Sequence, residues 1–269
     1  MKAVYTFQND KVTKLYIYLK KFEYPSPVGL FLGILAVLFL QFLIVLYHYY
    51  NVFYALHPSP VHINFDRSVS QKNFWRDLRT HVCNPEGFLL LGSYLCFTWM
   101  FRIMPESYYS YKGGISLSQF LQQLVLTDFL QTLMHLAEHH VSPRLYQLSH
   151  KPHHRFISPK LFDAFDGSLC DTFLMILVPL ALTAQVVHCN VWTYMLFGSV
   201  YAAFLTLIHS EFEHVWDPFF KKFKIGTPSD HHVHHAKFCY NFGHMFMWWD
   251  MLLGTYRNPV TVKQFYPSR

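Results

Sequence analysis

The sequence predicts an all-α protein: an integral membrane helical bundle carrying a histidine-rich helical metal site on its cytosolic side. Three observations carry that expectation. Hydrophobic residues make up 52% of the 269 positions and charged residues only 14%, against about 25% charged in an ordinary soluble domain. The apolar residues fall in runs long enough to span a bilayer, which takes about 20 residues. Eighteen histidines gather where those runs end. No segment shows the alternation expected of strands.

The elements follow in order. Residues 1–26 are polar and hold Lys2, Lys11, Lys14, Lys20 and Lys21. Pro27 to about Leu46, continued by the aromatic stretch Tyr49 to Leu56, is a retained anchor. It is too long for a signal peptide and lacks a small-residue cleavage site. Residues 57–85 are expected to be a polar linker. A second span runs from about Gly87 to Met104, then a turn at Lys112-Gly113-Gly114, then a third helix from about Ser116 to His140. Cys170–Val187 and Val191–Leu207 are separated only by His188-Cys189-Asn190 and suggest a helical hairpin dipping into the membrane. Two units are expected: 1–84 as tail, anchor and linker, and 85–269 as the membrane-embedded catalytic domain.

A net charge of +6 suggests partners, but the Lys and Arg sit between apolar spans and form no stripe, so nucleic acid is not expected. Anionic headgroups or an acidic protein fit better. Segments 141–168 and 209–269 are basic, and the positive-inside rule puts them in the cytosol. Tracing the spans back places residues 1–26 in the lumen, where five lysines run against that rule; either one span is re-entrant or the rule fails here. The five cysteines form no CxxC pair, so neither a disulfide framework nor a thiolate zinc site is expected.

Three clusters stand out: His135-Leu136-Ala137-Glu138-His139-His140, His150-Lys151-Pro152-His153-His154 and His231-His232-Val233-His234-His235. Helical positions i, i+3 and i+4 share a face. His135 with His139, His150 with His153 and His154, and His231 with His234 and His235 are therefore each expected to form a fan of imidazoles. Eight nitrogen donors suit two metal ions. Imidazole accepts iron, zinc, copper or nickel; a pair of iron ions with open positions would bind oxygen. His139 and His140 compete for one place, with His139 preferred. His209 is a further candidate ligand, with His214 its alternative, and His244 could join the shell. His232 points away from its fan. His48, His57, His62, His81 and His188 are expected at interfaces or in loops. A pH sensor and a metal transporter are the competing uses of so many histidines.

The runs HLAEHH at 135–140, LYQLSHKPHH at 145–154, HSEFEH at 209–214 and DHHVHHAKFCYNFGH with WWDMLLGTY at 230–256 resemble the fatty acid hydroxylase/sterol desaturase superfamily. HSEFEH followed by WDP is nearer its sterol-modifying branch. The resemblance covers roughly residues 85–258. It implies a multi-pass endoplasmic reticulum enzyme that uses O2 and two iron ions to hydroxylate or desaturate a lipid, with a sterol favoured and a fatty acyl chain or sphingoid base as the alternative. A catalytically inactive lipid-binding relative would keep the same fold. By motif position it implies metal ligands at His135, His139, His150, His153, His154, His231, His234 and His235, with His209 at a position where related sequences also carry His. No HPGG haem motif is present, so electrons are expected from a separate b-type cytochrome with its reductase.

Overall fold

The computed structural model describes residues 25–56, 59–62 and 65–262; residues 1–24, His57 and the last seven positions lie outside them. The described residues are helical, with two isolated β-bridges and no strand. Helix α1 is Pro27–Phe53, capped by the Ser26 side chain on the Val28 N–H. The segment expected as a linker contains a second helix, α2, Arg67–Cys83. Its polar composition hides a narrow stripe, in which Ser70, Phe74 and His81 are buried. Asp66 caps it by accepting from Ser68 N at 2.9 Å.

A widened turn at Pro85–Leu89 leads into α3, Leu90–Met100. Helix α4 is Leu117–His140 and the short α5 is Pro143–Leu148. Helix α6, Leu169–Val186, contains a widened turn, and α7 is Val191–Leu207. The last three helices are α8 Asp217–Phe223, α9 Pro228–Lys237 and α10 Trp248–Leu253.

Among the described residues two helices, α1 and α6, are long and apolar enough to cross a membrane. The other expected spans fall short for different reasons. Helix α3 is only 11 residues and α7 only 17. Helix α4 is long, but Gln123, Thr127, Asp128, Gln131 and Thr132 line its buried face. Helices α6 and α7 follow one another across the short loop at 187–190, with Asn190 capping α7 by accepting from Thr193 N at 3.0 Å. They pack on α4, and α7 also on α1, and not as a closed hairpin against each other.

Buried polar groups on α4 fasten the C-terminal segment. The Asp128 carboxylate accepts from Met245 N at 2.7 Å, Phe246 N at 2.9 Å and Trp249 Nε1 at 3.0 Å. Asp250 on α10 accepts from Phe242 N and Gly243 N, each at 2.7 Å, and from Thr255 Oγ1 at 2.6 Å. A Cβ on Gly226 would lie 2.2 Å from the His244 carbonyl oxygen, so only glycine allows this close approach. These contacts explain the Asn-Phe-Gly and Trp-Asp patterns noted in the sequence: they lock a loop over the end of α4, where the histidines are.

Candidate metal centre

Helix α4 ends on the first histidines. His135 and His139 are one turn apart and face the same way, as their spacing predicts. Helix α5 stops at Leu148, and His150, His153 and His154 follow in a turn and a short 3-10 segment. Helix α9 begins with a capping box, in which the Asp230 carboxylate accepts from Thr227 N at 3.1 Å and Thr227 Oγ1 at 2.6 Å. Burial pushes the Asp230 carboxyl up to about 6. That cap sets the register of His231, His234 and His235.

These elements bring nine histidines into two groups. Donor atoms of His135, His139, His150, His154 and His234 lie within 4.8 Å of one another, as do those of His153, His209, His231 and His235. All nine expected residues are therefore in one group or the other. The expected fans do not survive intact. His153 separates from His150 and His154 because that segment is not an α-helix. His234 separates from His231 and His235 because i+3 on a helix lies about 60° from i and about 100° from i+4, enough here to aim it at the other group.

Hydrogen bonds fix which nitrogen faces inward. Nδ1–H groups donate to backbone carbonyls from His135 to Phe242 at 2.7 Å, His153 to Asp166 at 3.1 Å and His209 to Leu205 at 2.7 Å. His234 donates likewise to Tyr240 and His235 to Phe156, each at 2.8 Å. His150 Nδ1–H donates to the Asp171 carboxylate at 2.8 Å. Those partners only accept, so the Nε2 lone pairs of six rings must point into the groups.

Inside, lone pairs confront one another wherever both Nδ1 atoms are committed: Nε2 of His135 is 2.9 Å from that of His150, and that of His153 is 3.3 Å from that of His209. The other rings come as close: His154 is 3.1 Å from His139 and 3.0 Å from His234, and His231 is 3.0 Å from His209 and 3.1 Å from His235. Protonation does not relieve this: burial holds His150 down to about 3 and the His234, His235 and His231 rings well below the ordinary value. A cation does. Donors about 2.1 Å from a first-row metal ion and at right angles are about 3.0 Å apart, the spacing seen here. The donor set is imidazole alone, which suits iron, zinc, copper or nickel. Five donors in one group and four in the other leave octahedral positions open.

The remaining histidines sort cleanly. His140 is exposed and its ring bonds the Leu136 carbonyl at 3.0 Å. His214 contacts the Tyr47 hydroxyl and the Leu207 carbonyl, outside both groups. His232 is buried but belongs to neither group. His244 lies between them, its ring 5.1 Å from His135 and 5.2 Å from His231. His188 is in a loop, as expected. His48 and His81 are not interfacial. His48 is buried with Nε2 3.6 Å from Glu211, and His81 bonds the Phe162 carbonyl at 3.0 Å.

Sequence reasoning missed Glu138 and Asp171, which gather with His150 in a third, buried group. Asp171 orients His150, an arrangement that fixes the tautomer of metal-binding histidines. The available signal was a carboxylate at the start of an apolar run, where charge is expensive without a partner.

Residues 120–255, the segment containing both groups, match the family described as fatty acid hydroxylase. An alternative squalene epoxidase of Phaeodactylum tricornutum is 54% identical over 236 residues, covering 87% of this chain and 68% of that protein. The chain belongs to the fatty acid hydroxylase family. Two further relatives bear the names of sterol-modifying enzymes. A Delta(7)-sterol 5(6)-desaturase of Aspergillus fumigatus is 30% identical, covering 54% of this chain and 39% of that protein. Methylsterol monooxygenase 1 of Gallus gallus is 26% identical, covering 74% and 67%. No solved structure matches the chain. Within the family segment lie all nine clustered histidines; α1, α2 and α3 lie outside it.

Proposed function

We propose that this chain is a membrane-bound, O2-dependent oxygenase of sterol-pathway lipids that holds two iron ions, and that its reaction is epoxidation of squalene. The observation that carries the metal reading is the confrontation of inward Nε2 lone pairs at about 3 Å in two separate groups, His135 with His150 and His153 with His209. Support for the substrate is the 54% identity to an alternative squalene epoxidase. Hydroxylation or desaturation of a sterol is the second reading, favoured by the desaturase and methylsterol monooxygenase relatives.

His135, His139, His150, His154 and His234 would hold one ion, and His153, His209, His231 and His235 the other. Iron bound there would supply activation of O2. The protein's own part is orientation and exclusion. Carbonyls of Phe242, Asp166, Leu205, Tyr240 and Phe156 keep the rings turned inward, and burial keeps them neutral and ready to bind. The same burial keeps bulk water from the reacting lipid. One oxygen atom enters the lipid and the other leaves as water, which needs two electrons from outside the chain and two protons from solvent. A separate b-type cytochrome with its reductase is the donor proposed, docking on a cytosolic face of the endoplasmic reticulum membrane.

The test is expression in sterol-fed cells blocked at squalene epoxidation, under labelled O2, of the native chain and His153→Ala. One labelled oxygen in the mono-epoxide, from the native chain alone, is the expected result. Unaltered squalene beside a newly hydroxylated or desaturated sterol would replace the first reading by the second.

A further inference from the structure

Helices α1, α3, α6 and α7 enclose an elongated apolar cavity. Its lining follows α7 from Val191 to Leu205, a rise of about 21 Å. One end reaches the backbone behind the metal centre, on the side of the outward Nδ1 atoms; none of the nine clustered histidines lines the cavity. Leu205 supplies the carbonyl that orients His209, and Phe165, also in the lining, precedes Asp166, whose carbonyl orients His153. The cavity thus ends on backbone that holds two rings of the four-histidine group.

No charged residue lines it. Most polar atoms in its walls already have partners. The Thr98 hydroxyl donates to the Tyr94 carbonyl at 2.8 Å, Tyr201 to Gln131 Oε1 at 2.7 Å, and the Trp99 indole to the Ser26 carbonyl at 3.1 Å. The Tyr94 hydroxyl is buried and without a hydrogen-bond partner. A carboxylate, phosphate or amide head group would find that single hydroxyl and no charge to replace its several waters, and burying it largely unpaired is unfavourable.

The walls are unequal. Helices α1 and α3 touch where a Cβ on Gly29 would lie 2.5 Å from the Trp99 ring. Elsewhere the gap is open: a Cβ on Gly92 would meet nothing within 4 Å, and one on Gly33 would meet Met195 at 3.7 Å. Both helices lie outside the family segment 120–255.

We infer that this cavity is the substrate slot, that it takes an uncharged hydrocarbon lipid without a head group, and that α1 and α3 set what fits, with Gly92 the deciding position. That the ligand is also oxidised rests on the function proposed above. Any side chain at 92 projects into the open space rather than into protein, and losing glycine from a helix favours folding. Displacing even two methylenes of a bound chain weakens binding about tenfold or more.

The experiment measures binding of radiolabelled squalene to the iron-loaded full chain in detergent, with cholesterol and palmitate as competitors. Gly92→Phe should bind squalene at least about tenfold more weakly with unchanged iron content, and Gly92→Ala should control for the helix. Tyr94→Phe should bind squalene no worse than the native chain. Full squalene affinity in Gly92→Phe would show that the slot lies elsewhere. Cholesterol that outcompetes squalene, and loses that advantage in Tyr94→Phe, would make the slot a reader of a hydroxyl and overturn the hydrocarbon class. Binding and turnover separate the two ideas. Squalene bound in the slot but never oxidised would sink the proposed reaction and leave the slot; epoxidation undiminished in Gly92→Phe would do the reverse.

Discussion

Acidifying the metal-free protein from pH 7 to pH 5 should unfold the histidine core. Burial holds His150 and His244 down to about 3, whereas an unfolded histidine titrates near 6.5. Between those values the unfolded chain binds protons that the native rings refuse, so native stability falls as pH falls. Each ring contributes about 1.4 kcal/mol per pH unit in that window. At pH 5 the two together remove about 4 kcal/mol, out of roughly 5–15 kcal/mol for a typical domain. His234, His235 and His231 push the same way, since burial depresses them too. Bound iron should oppose the effect, because it binds only the neutral rings. Thermal midpoints of chelated and iron-loaded protein in detergent, taken from pH 7.5 to 5, check this. Equal midpoints for the chelated protein at pH 7 and pH 5 would refute the picture of neutral, buried, mutually repelling rings.

Further tests address single contacts. His234→Ala should lower bound iron below two per chain and abolish turnover while the protein stays in the membrane, and His232→Ala should do far less; equal losses of iron would show the assignment of His232 outside both groups to be mistaken. Asp128→Asn must leave at least one of three buried N–H groups facing an amide NH2, which should cost about 1–3 kcal/mol; hydrogen exchange across 241–249 should accelerate, and unchanged exchange there would count against the clamp. Lys222 and Lys224 are exposed beside the C-terminal helices. Reversing both charges should slow turnover with a reduced acidic cytochrome at low salt and matter little at high salt; salt-independent rates would remove the docking idea.

Much of the centre was legible in the sequence, because histidine spacing on a helix translates directly into direction. His135 with His139 and His231 with His235 face as the i, i+4 rule says. The partition into two groups was not legible. It depends on α5 stopping at Leu148 and on how far α9 is rotated against α4, and neither is a local property. Helix α2 was hidden because Arg67–Cys83 buries only a thin stripe among polar residues. His48 and His81 were misplaced for a related reason. Each is buried through a long-range partner, Glu211 or the Phe162 carbonyl, that spacing cannot reveal.

The two groups are assembled from distant stretches of chain: His234 meets His154 across a separation of 80 residues. At a synthesis rate of about 5–20 residues per second, the first-made rings wait about 4–16 s for their partners. During that interval His150 and His154 are an incomplete chelate, able to take up whichever divalent ion is at hand, and copper outcompetes iron at nitrogen sites. Arrival of α9, and clamping of the following loop by Asp128, then completes both groups. Both groups draw donors from α9, so neither donor set is finished until that late-made helix has emerged.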